Sequence, residues 1–363
     1  MRVMDEYTLL GRVVLRDRVA EKGAVCVRDG EIVYAGSAAD APFLSNVISE
    51  TGTVMPGFVD IHCHAGGSTW FHEDPAACAE YHFIHGTTTV CATLYRDLGT
   101  EGIMNGIETV RQAMNTCPTI CGVHLEGPFL NPELGARSAK ADIFADPAVY
   151  IPMLDCGILR HMTFAPEVEG TEQLMREMKK RGIAGSIGHS KASPEQVRRA
   201  VACGASNVTH LFDATGASIS PTRWTGTLET DFNIAALSCE GLTYEIICDR
   251  EGVHVRPEYV ALVKRCAGAG SIIGITDACG GDGDGEEINF LDGELNGSKL
   301  TMNRVAANFR ALGFSLSEIA AVTSLNPARL LRVDSTVGSL EAGKRADIVV
   351  LDDDFDVIDV FKA

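Results

Sequence analysis

Hydrophobic and polar positions along the chain follow one pattern at both ends and another between them. Up to about residue 54, short apolar stretches alternate with polar residues and break at glycines, as in "GRVVLRDRV", "GAVCVRDGEIVYAG" and "TGTVMPG". A period of two marks a half-buried strand, because successive side chains point to opposite faces. Asp29-Gly30 lies between two such runs and suits a tight turn with positive φ, so a hairpin is predicted there. The C-terminal "GSLEAGKRADIVVLDDDFDVIDVF" reads as turn, strand, acidic turn, strand. Residues 1–54 and 332–363 are therefore expected to form one small β-sandwich domain from both termini.

Residues 55–331 repeat a different unit. "GTTTVCATL" precedes an amphipathic stretch from about Thr100 to Met114, and "ICGVHLEG" follows. "EQLMREMKKRG" leads into "IAGSIGHS". "SPEQVRRAVACG" offers Ser193 as N-cap, Pro194 in the first turn and Gly204 as the stop, ahead of "NVTHLF". "LTYEIICD", a helix near Pro257 to Ala267 and "SIIGITDA" continue the series. Repeated strand–helix units predict an α/β fold with a parallel sheet, and there are enough of them to close a (β/α)8 TIM-like barrel. A doubly wound open sheet is the alternative, but the chain has no GxGxxG or GxxxxGK[ST] fingerprint to support it.

Composition narrows the function classes. With 45% hydrophobic and 22% charged residues, the chain can bury a large core and is not of disordered composition. A net charge of −18 argues against nucleic acid, which attracts basic surfaces. No apolar run approaches the roughly 18 residues of a membrane span. The first residues carry charges too early for a secretory signal, so a cytoplasmic location is expected. In that setting the 12 scattered cysteines read as reduced, buried, small hydrophobes.

Against this background His62, His64, Glu126, His189, His210 and Asp277 have one property in common. Each lies at or just past the C-terminal end of an apolar strand. In a parallel barrel those ends converge on the face where active sites are built. His62 and His64 project to one side of an extended backbone, and the capped helix between His189 and His210 would set those two side by side. A single buried histidine is more often a hydrogen-bonded core residue, HxH alone is a weak motif, and Asp277 alone could cap a helix. Burying all of these groups unpaired would cost several kcal/mol, so a shared cation is the better reading. Imidazole and carboxylate without thiolate suit zinc or iron(II), with manganese and cobalt as further candidates. Cys63 points away from its flanking histidines and is left out. His124 shares a face with Glu126 and is expected to support the site. His72, His82, His85 and His161 read as structural or solvated.

The motifs "GFVDIHCHAGG", "HLEGPFLNPE", "FAPE", "IGHSKA", "THLFDA", "GITDA" and "GSLEAGKRADIVVLD" occur in an order that resembles the amidohydrolase superfamily, and more narrowly its N-acetylglucosamine-6-phosphate deacetylases. The resemblance spans nearly the whole chain. It implies a metal-dependent barrel that hydrolyses an N-acetyl amino sugar, N-acetylglucosamine-6-phosphate or a related anionic N-acetylhexosamine. By this resemblance Glu126, His189 and His210 hold the principal metal, and His62 and His64 match a pair that holds a second metal in some members of the family and is replaced in others, so one or two ions are expected. Asp277 matches the catalytic acid/base. Arg223 and His254 match positions that bind the sugar phosphate. The resemblance also implies a homodimer in which His254 reaches the partner's site.

Three departures stand out. "LGARS" places Arg137 where the family has a carbonyl-polarising histidine. "FDAT" places Asp213 and Ala214 where the family has an asparagine and a following backbone amide on the phosphate. "DREGVH" is two residues longer than the family's "DGxH" and adds Arg250. Two readings stay open: intact catalysis with changed recognition of an anionic substrate, or tolerated variation around the same sugar phosphate. Another amidohydrolase acting on a different N-acyl or cyclic amide, and a non-enzymatic sugar-phosphate sensor, are the competing functions.

Overall fold

The computed structural model describes residues 6–49, 52–135, 144–216, 222–280, 287–291 and 294–363. Eight parallel strands make the central sheet: β1 (Phe58–Cys63), β2 (Thr87–Tyr95), β3 (Ile120–Glu126), β4 (Leu159–Phe164), β5 (Ala184–Ile187), β6 (Asn207–Val208), β7 (Thr243–Ile247) and β8 (Ile272–Ile275). Each pairs in parallel with the next, from β1 through to β8. The expected α/β barrel is present.

The connecting helices follow the sequence signals. Gly99–Met114 buries Ile103, Gly106, Ile107 and Val110, the i, i+3, i+4, i+7 stripe of an amphipathic helix. Pro194–Cys203 begins with a capping box in which Ser193 and Gln196 satisfy each other's backbone N–H groups, and it ends at left-handed Gly204. These faces pack on the barrel's outer side in one continuous core. Among the described residues, no helix is long and apolar enough to cross a membrane.

Both chain ends contribute to a separate seven-stranded sheet that includes Glu6–Val14, Val19–Arg28, Glu31–Ser37, Thr53–Pro56, Ile348–Leu351 and Val357–Phe361. It has its own core around Leu9, Val25, Val27, Ile32, Val54 and Ile348. The hairpin turn falls at Asp29 and Gly30, with φ of 52° and 78°, as a type I′ turn requires.

Two features of the barrel matter for what sits above it. The first is the seam, where no regular ladder joins β8 to β1 among the described residues. Instead Asp277 N–H donates to His62 O at 2.9 Å, and Thr276 Oγ1 donates to Asp60 Oδ2 at 2.6 Å. Burial, only partly offset by hydrogen bonds from Thr276 and the His62 N–H, pushes the Asp60 carboxyl up to about 7. The second is a polar layer inside the barrel, where aliphatic side chains are usual. His124 lies 3.2 Å from Thr93 Oγ1 and 2.9 Å from Thr163 Oγ1. Thr163, Thr209 and Ser186 continue the chain of hydroxyls to Asn207, whose Nδ2 donates to Glu245 Oε1 at 2.6 Å.

Candidate metal centre and active site

The polar layer supports a cluster at the C-terminal mouth of the barrel. His62 belongs to β1 and His64 follows it, Glu126 ends β3, and His189, His210 and Asp277 lie just past β5, β6 and β8. The structure brings these six residues together. Glu126 Oε1 is 2.8 Å from His189 Nε2, 3.1 Å from His210 Nε2 and 3.4 Å from His62 Nε2. Glu126 Oε2 is 3.3 Å from His64 Nε2, while Asp277 Oδ1 lies 3.2 Å from His64 Nε2 and 3.4 Å from His62 Nε2. The carboxylate of Glu126 thus stands between two adjoining sets, His189 with His210 and His62 with His64 and Asp277.

The local backbone is bent to reach this arrangement. His189, His210 and Asp277 have φ of 45°, 25° and 48°, in the left-handed region that non-glycine residues avoid. Such residues cost of order 1–3 kcal/mol each and persist where the surroundings hold them in place. Glu167, from the "FAPE" motif, is one such support. It accepts from Ser190 Oγ at 2.6 Å, Lys191 N–H at 2.7 Å and Asn131 Nδ2 at 2.9 Å, tying the His189 loop to the loop after β3. Gly135 lies against the His189 ring, where a Cβ would come within 2.5 Å of Cε1 and Nδ1.

Partners behind the imidazoles aim them. His62 Nδ1–H donates to Glu245 Oε2 at 3.0 Å, and His210 Nδ1–H donates to the Asp213 carbonyl at 2.9 Å. In its neutral form each ring then presents a bare Nε2 to the cluster, the tautomer a metal ligand needs. Glu245 is fully buried and is a functional residue that the sequence reading missed. Its only signal was an acidic residue inside an apolar strand, "TYEII".

Charge in the cluster is set by its members. Burial would lower the three histidines, but Asp277 and Glu126 outweigh it: they raise His62 and His64, and Glu126 lifts His210 to about 9. Burial would raise the two carboxyls, yet His189 and His62 hold Glu126 well below the carboxylate range, and His62 and His64 do the same for Asp277. Protons or a cation must occupy the centre. His62 and His64 have their Nε2 atoms 3.3 Å apart, and those of His189 and His210 are 3.1 Å apart. Two N–H groups cannot point at each other at that distance, whereas two lone pairs can share a cation. Two overlapping triads, His62–Glu126–His210 and His62–His64–Asp277, have ligand atoms close enough to hold a metal ion. The donor set therefore fits a divalent metal.

Cys63 faces the other side of β1, its Sγ 3.0 Å from His82 Nε2. His82 is itself buried, pushed down to about 4 by burial, and donates to Ala65 O at 2.8 Å. His161, expected to be structural or solvated, lies inside the barrel stacked on His124 at 4.1 Å, with Nε2 3.5 Å from Glu245 Oε1.

A cavity of about 460 Å³ opens over the cluster, lined by His64, Glu126, His189, His210 and Asp277 together with Trp70, Tyr95, Asp213 and Ala214. The expected substrate-binding residues distribute unevenly around it. Arg137 lies outside the described residues. Arg223 is exposed and does not line this cavity; its guanidinium lies over the Trp224 ring. Arg250 lines a different cavity. The expectation that His254 reaches a partner's site is corrected. Its side chain is completely buried in its own chain, with Nδ1 2.6 Å from Asp213 Oδ2. The reason is Asp249, whose carboxylate accepts from the N–H groups of Val253 and His254 and turns the lengthened loop inward.

Comparison with known proteins agrees with this geometry. The model of the Amidohydrolase family matches residues 53–363. An N-acetylglucosamine-6-phosphate deacetylase of Bacillus subtilis is 28% identical over 95% of this chain and 93% of its own length. Its namesake from Mus musculus is 30% identical over 83% of this chain and 80% of its own. A solved deacetylase from Mycobacterium smegmatis, in complex with N-acetyl-D-glucosamine-6-phosphate, superposes with a TM-score of 0.88 at 28% identity, covering 99% of this chain and 98% of that one. The chain belongs to the amidohydrolase family, among its N-acetylglucosamine-6-phosphate deacetylases.

Proposed function

We propose that this enzyme removes the acetyl group from an N-acetyl amino sugar, N-acetylglucosamine-6-phosphate or a related anionic N-acetylhexosamine. The observation that carries the reading is the convergence of four imidazoles and two carboxylates beneath one cavity. One ion would be held by Glu126, His189 and His210, and a second by His62 and His64 beside them. Zinc or iron(II) suits these nitrogen and oxygen donors, with manganese and cobalt as alternatives. A divalent ion there supplies Lewis acidity, acidifying water and polarising the amide carbonyl.

The chain's own groups do the rest. Asp277 lines the cavity, and its carboxyl is held ionised, so it is ready to accept a proton. As water adds to the acetyl carbonyl carbon, Asp277 takes its proton. It then delivers that proton to the amide nitrogen while the C–N bond breaks. Acetate and the free amino sugar leave. Glu245 and the Asp213 carbonyl keep His62 and His210 in the tautomer this requires. The reading includes a cytoplasmic location and a homodimer. Exposed Trp224 and Leu228, at 67% and 97%, support a surface covered by a second copy.

The test is metal analysis of the purified protein together with acetate release from N-acetylglucosamine-6-phosphate. Metal-dependent turnover is expected. A metal-loaded protein that releases no acetate from any N-acetylhexosamine or its phosphate overturns the reading.

A further inference from the structure

The wall of the cavity at Asp213 does not look like a receptor for a phosphate alone. Asp213 lines the cavity with a side chain 22% exposed, while His254 lies behind it, fully buried and outside the lining. The imidazole is held by the carboxylate, Nδ1 to Oδ2 at 2.6 Å, and its Nε2 is buried without a hydrogen-bond partner among the described residues. Among the described residues, Asp213 Oδ1 has no hydrogen-bond partner, and the residue lines the cavity. The loop is fixed in this posture. Phe212 and Ala214 have φ of 73° and 47°, and Asn233 Oδ1 accepts from Phe212 N–H at 3.2 Å and from Thr215 Oγ1 at 2.7 Å.

Charges around the cavity point the same way. Among the described residues, Arg96 is the one arginine or lysine in the lining. Its guanidinium donates to the carbonyls of Asn131 and Leu134, at 3.4 and 3.0 Å. Asp97 pairs with Arg96, Oδ1 to Nε at 3.9 Å, and Asp213 adds its carboxylate to those of Glu126 and Asp277. An ionised carboxylate is an acceptor only, so its natural partner is a donor such as a sugar hydroxyl, and a phosphate dianion facing it is repelled.

We propose that Asp213, braced by His254, is a specificity-determining residue that accepts a hydrogen bond from a sugar hydroxyl, so that the neutral N-acetylhexosamine is itself a substrate alongside its phosphate. The inference rests on the deacetylase reading above and adds to it a substrate without phosphate.

The experiment compares acetate release from N-acetylglucosamine and from its 6-phosphate by the metal-loaded enzyme and by Asp213→Asn. Wild-type kcat/KM for the neutral sugar is expected within about tenfold of that for the phosphate. Asp213→Asn should raise preference for the phosphate by about tenfold or more, mostly through KM, since a lost charge-assisted bond is worth roughly that much. A wild-type preference for the phosphate above about a thousandfold, or an unchanged preference in Asp213→Asn, overturns the proposal. Calorimetric titration of metal-loaded Asp277→Asn with the same two sugars reads binding without turnover. Comparable affinities support the role of Asp213, and a thousandfold preference for the phosphate overturns it. If neither sugar releases acetate, the deacetylase reading fails, and the titration still decides the Asp213 assignment.

Discussion

Replacing Glu245 by glutamine removes one charge from the centre of the barrel and leaves its shape intact. Glu245 Oε2 accepts from His62 Nδ1 at 3.0 Å and from His210 N–H at 3.4 Å, while Oε1 accepts from Asn207 Nδ2 at 2.6 Å. A glutamine oxygen can take the place of only one of the two carboxylate oxygens. If its oxygen faces His62, its NH2 meets the NH2 of Asn207. Asn207 must then turn over and lose the bond its Oδ1 accepts from Thr243 Oγ1 at 2.7 Å. If the NH2 faces His62 instead, the ring proton moves to Nε2 and points into the cluster, where a metal should sit. Removing a hydrogen-bond partner behind a ligating histidine lowers metal affinity by about 10–100-fold. At about 1.4 kcal/mol per tenfold, that is roughly 1.4–2.7 kcal/mol. Competition against a chromophoric chelator at pH 7.5 measures it. The weaker binding should fall on the ion held by His62 and His64, while the Glu126–His189–His210 ion stays near wild-type affinity. If Glu245→Gln binds two ions as tightly as the parent, Glu245 does not position His62.

Asp277→Asn should slow acetate release by about 10²–10⁴-fold, the usual contribution of a general acid/base, while the ion at Glu126, His189 and His210 stays bound. Unchanged turnover would remove Asp277 from the proton transfer. Metal-free protein should lose thermal stability as pH rises from about 6.5 to 9. His210 has its folded value raised from 6.5 to about 9, so its contribution is complete below pH 6.5 and gone above about 9, and His62 and His64 shift the same way and add to the loss. Metal-loaded protein should not show this loss, because deprotonated imidazoles bind the ion more tightly. A flat melting temperature across that range in chelator-treated protein would contradict the charge assignment. Gly135→Ala places a methyl 2.5 Å from the His189 ring at a φ of 84°, so the ring must shift. A displacement near 1 Å can cost about 10²-fold in rate, and kcat should fall with the melting temperature little changed. Wild-type kcat would show that the loop yields instead.

Much of the barrel was legible because its signals are local. Ser193, Pro194, Gln196 and Gly204 delimit a helix by backbone chemistry alone, and the stripe from Ile103 to Val110 marks a buried face wherever the helix lies. The cluster was legible for a related reason. Polar residues that end apolar strands must meet if the strands are parallel neighbours. What escaped depends on the barrel's closure. Glu245 and His161 occupy inward positions on different strands, and only the closed barrel puts them in one layer with His124, where they hydrogen-bond or stack. The inward turn of His254 depends on two backbone bonds to Asp249, which spacing does not reveal. Left-handed backbone at His189 and Asp277 is equally silent, since histidine and aspartate do not advertise it as glycine would.

The seam between β8 and β1 sets an order of events during folding. Glu126, His189 and His210 come from β3, β5 and β6 and their loops, which pair through β4 without help from either end of the barrel. His62, His64 and Asp277 meet only when the first and last strands do, across more than half the length of the chain. Contacts of such separation form late, because the intervening chain must be ordered first. On the proposed ligand assignment, a nascent barrel would offer Glu126, His189 and His210 to an ion before the seam shuts, and His62 and His64 would join Asp277 only afterwards. Loading of a second position would then report completion of the fold, and a chain stopped short of Asp277 would keep the first three ligands while lacking the proposed acid/base.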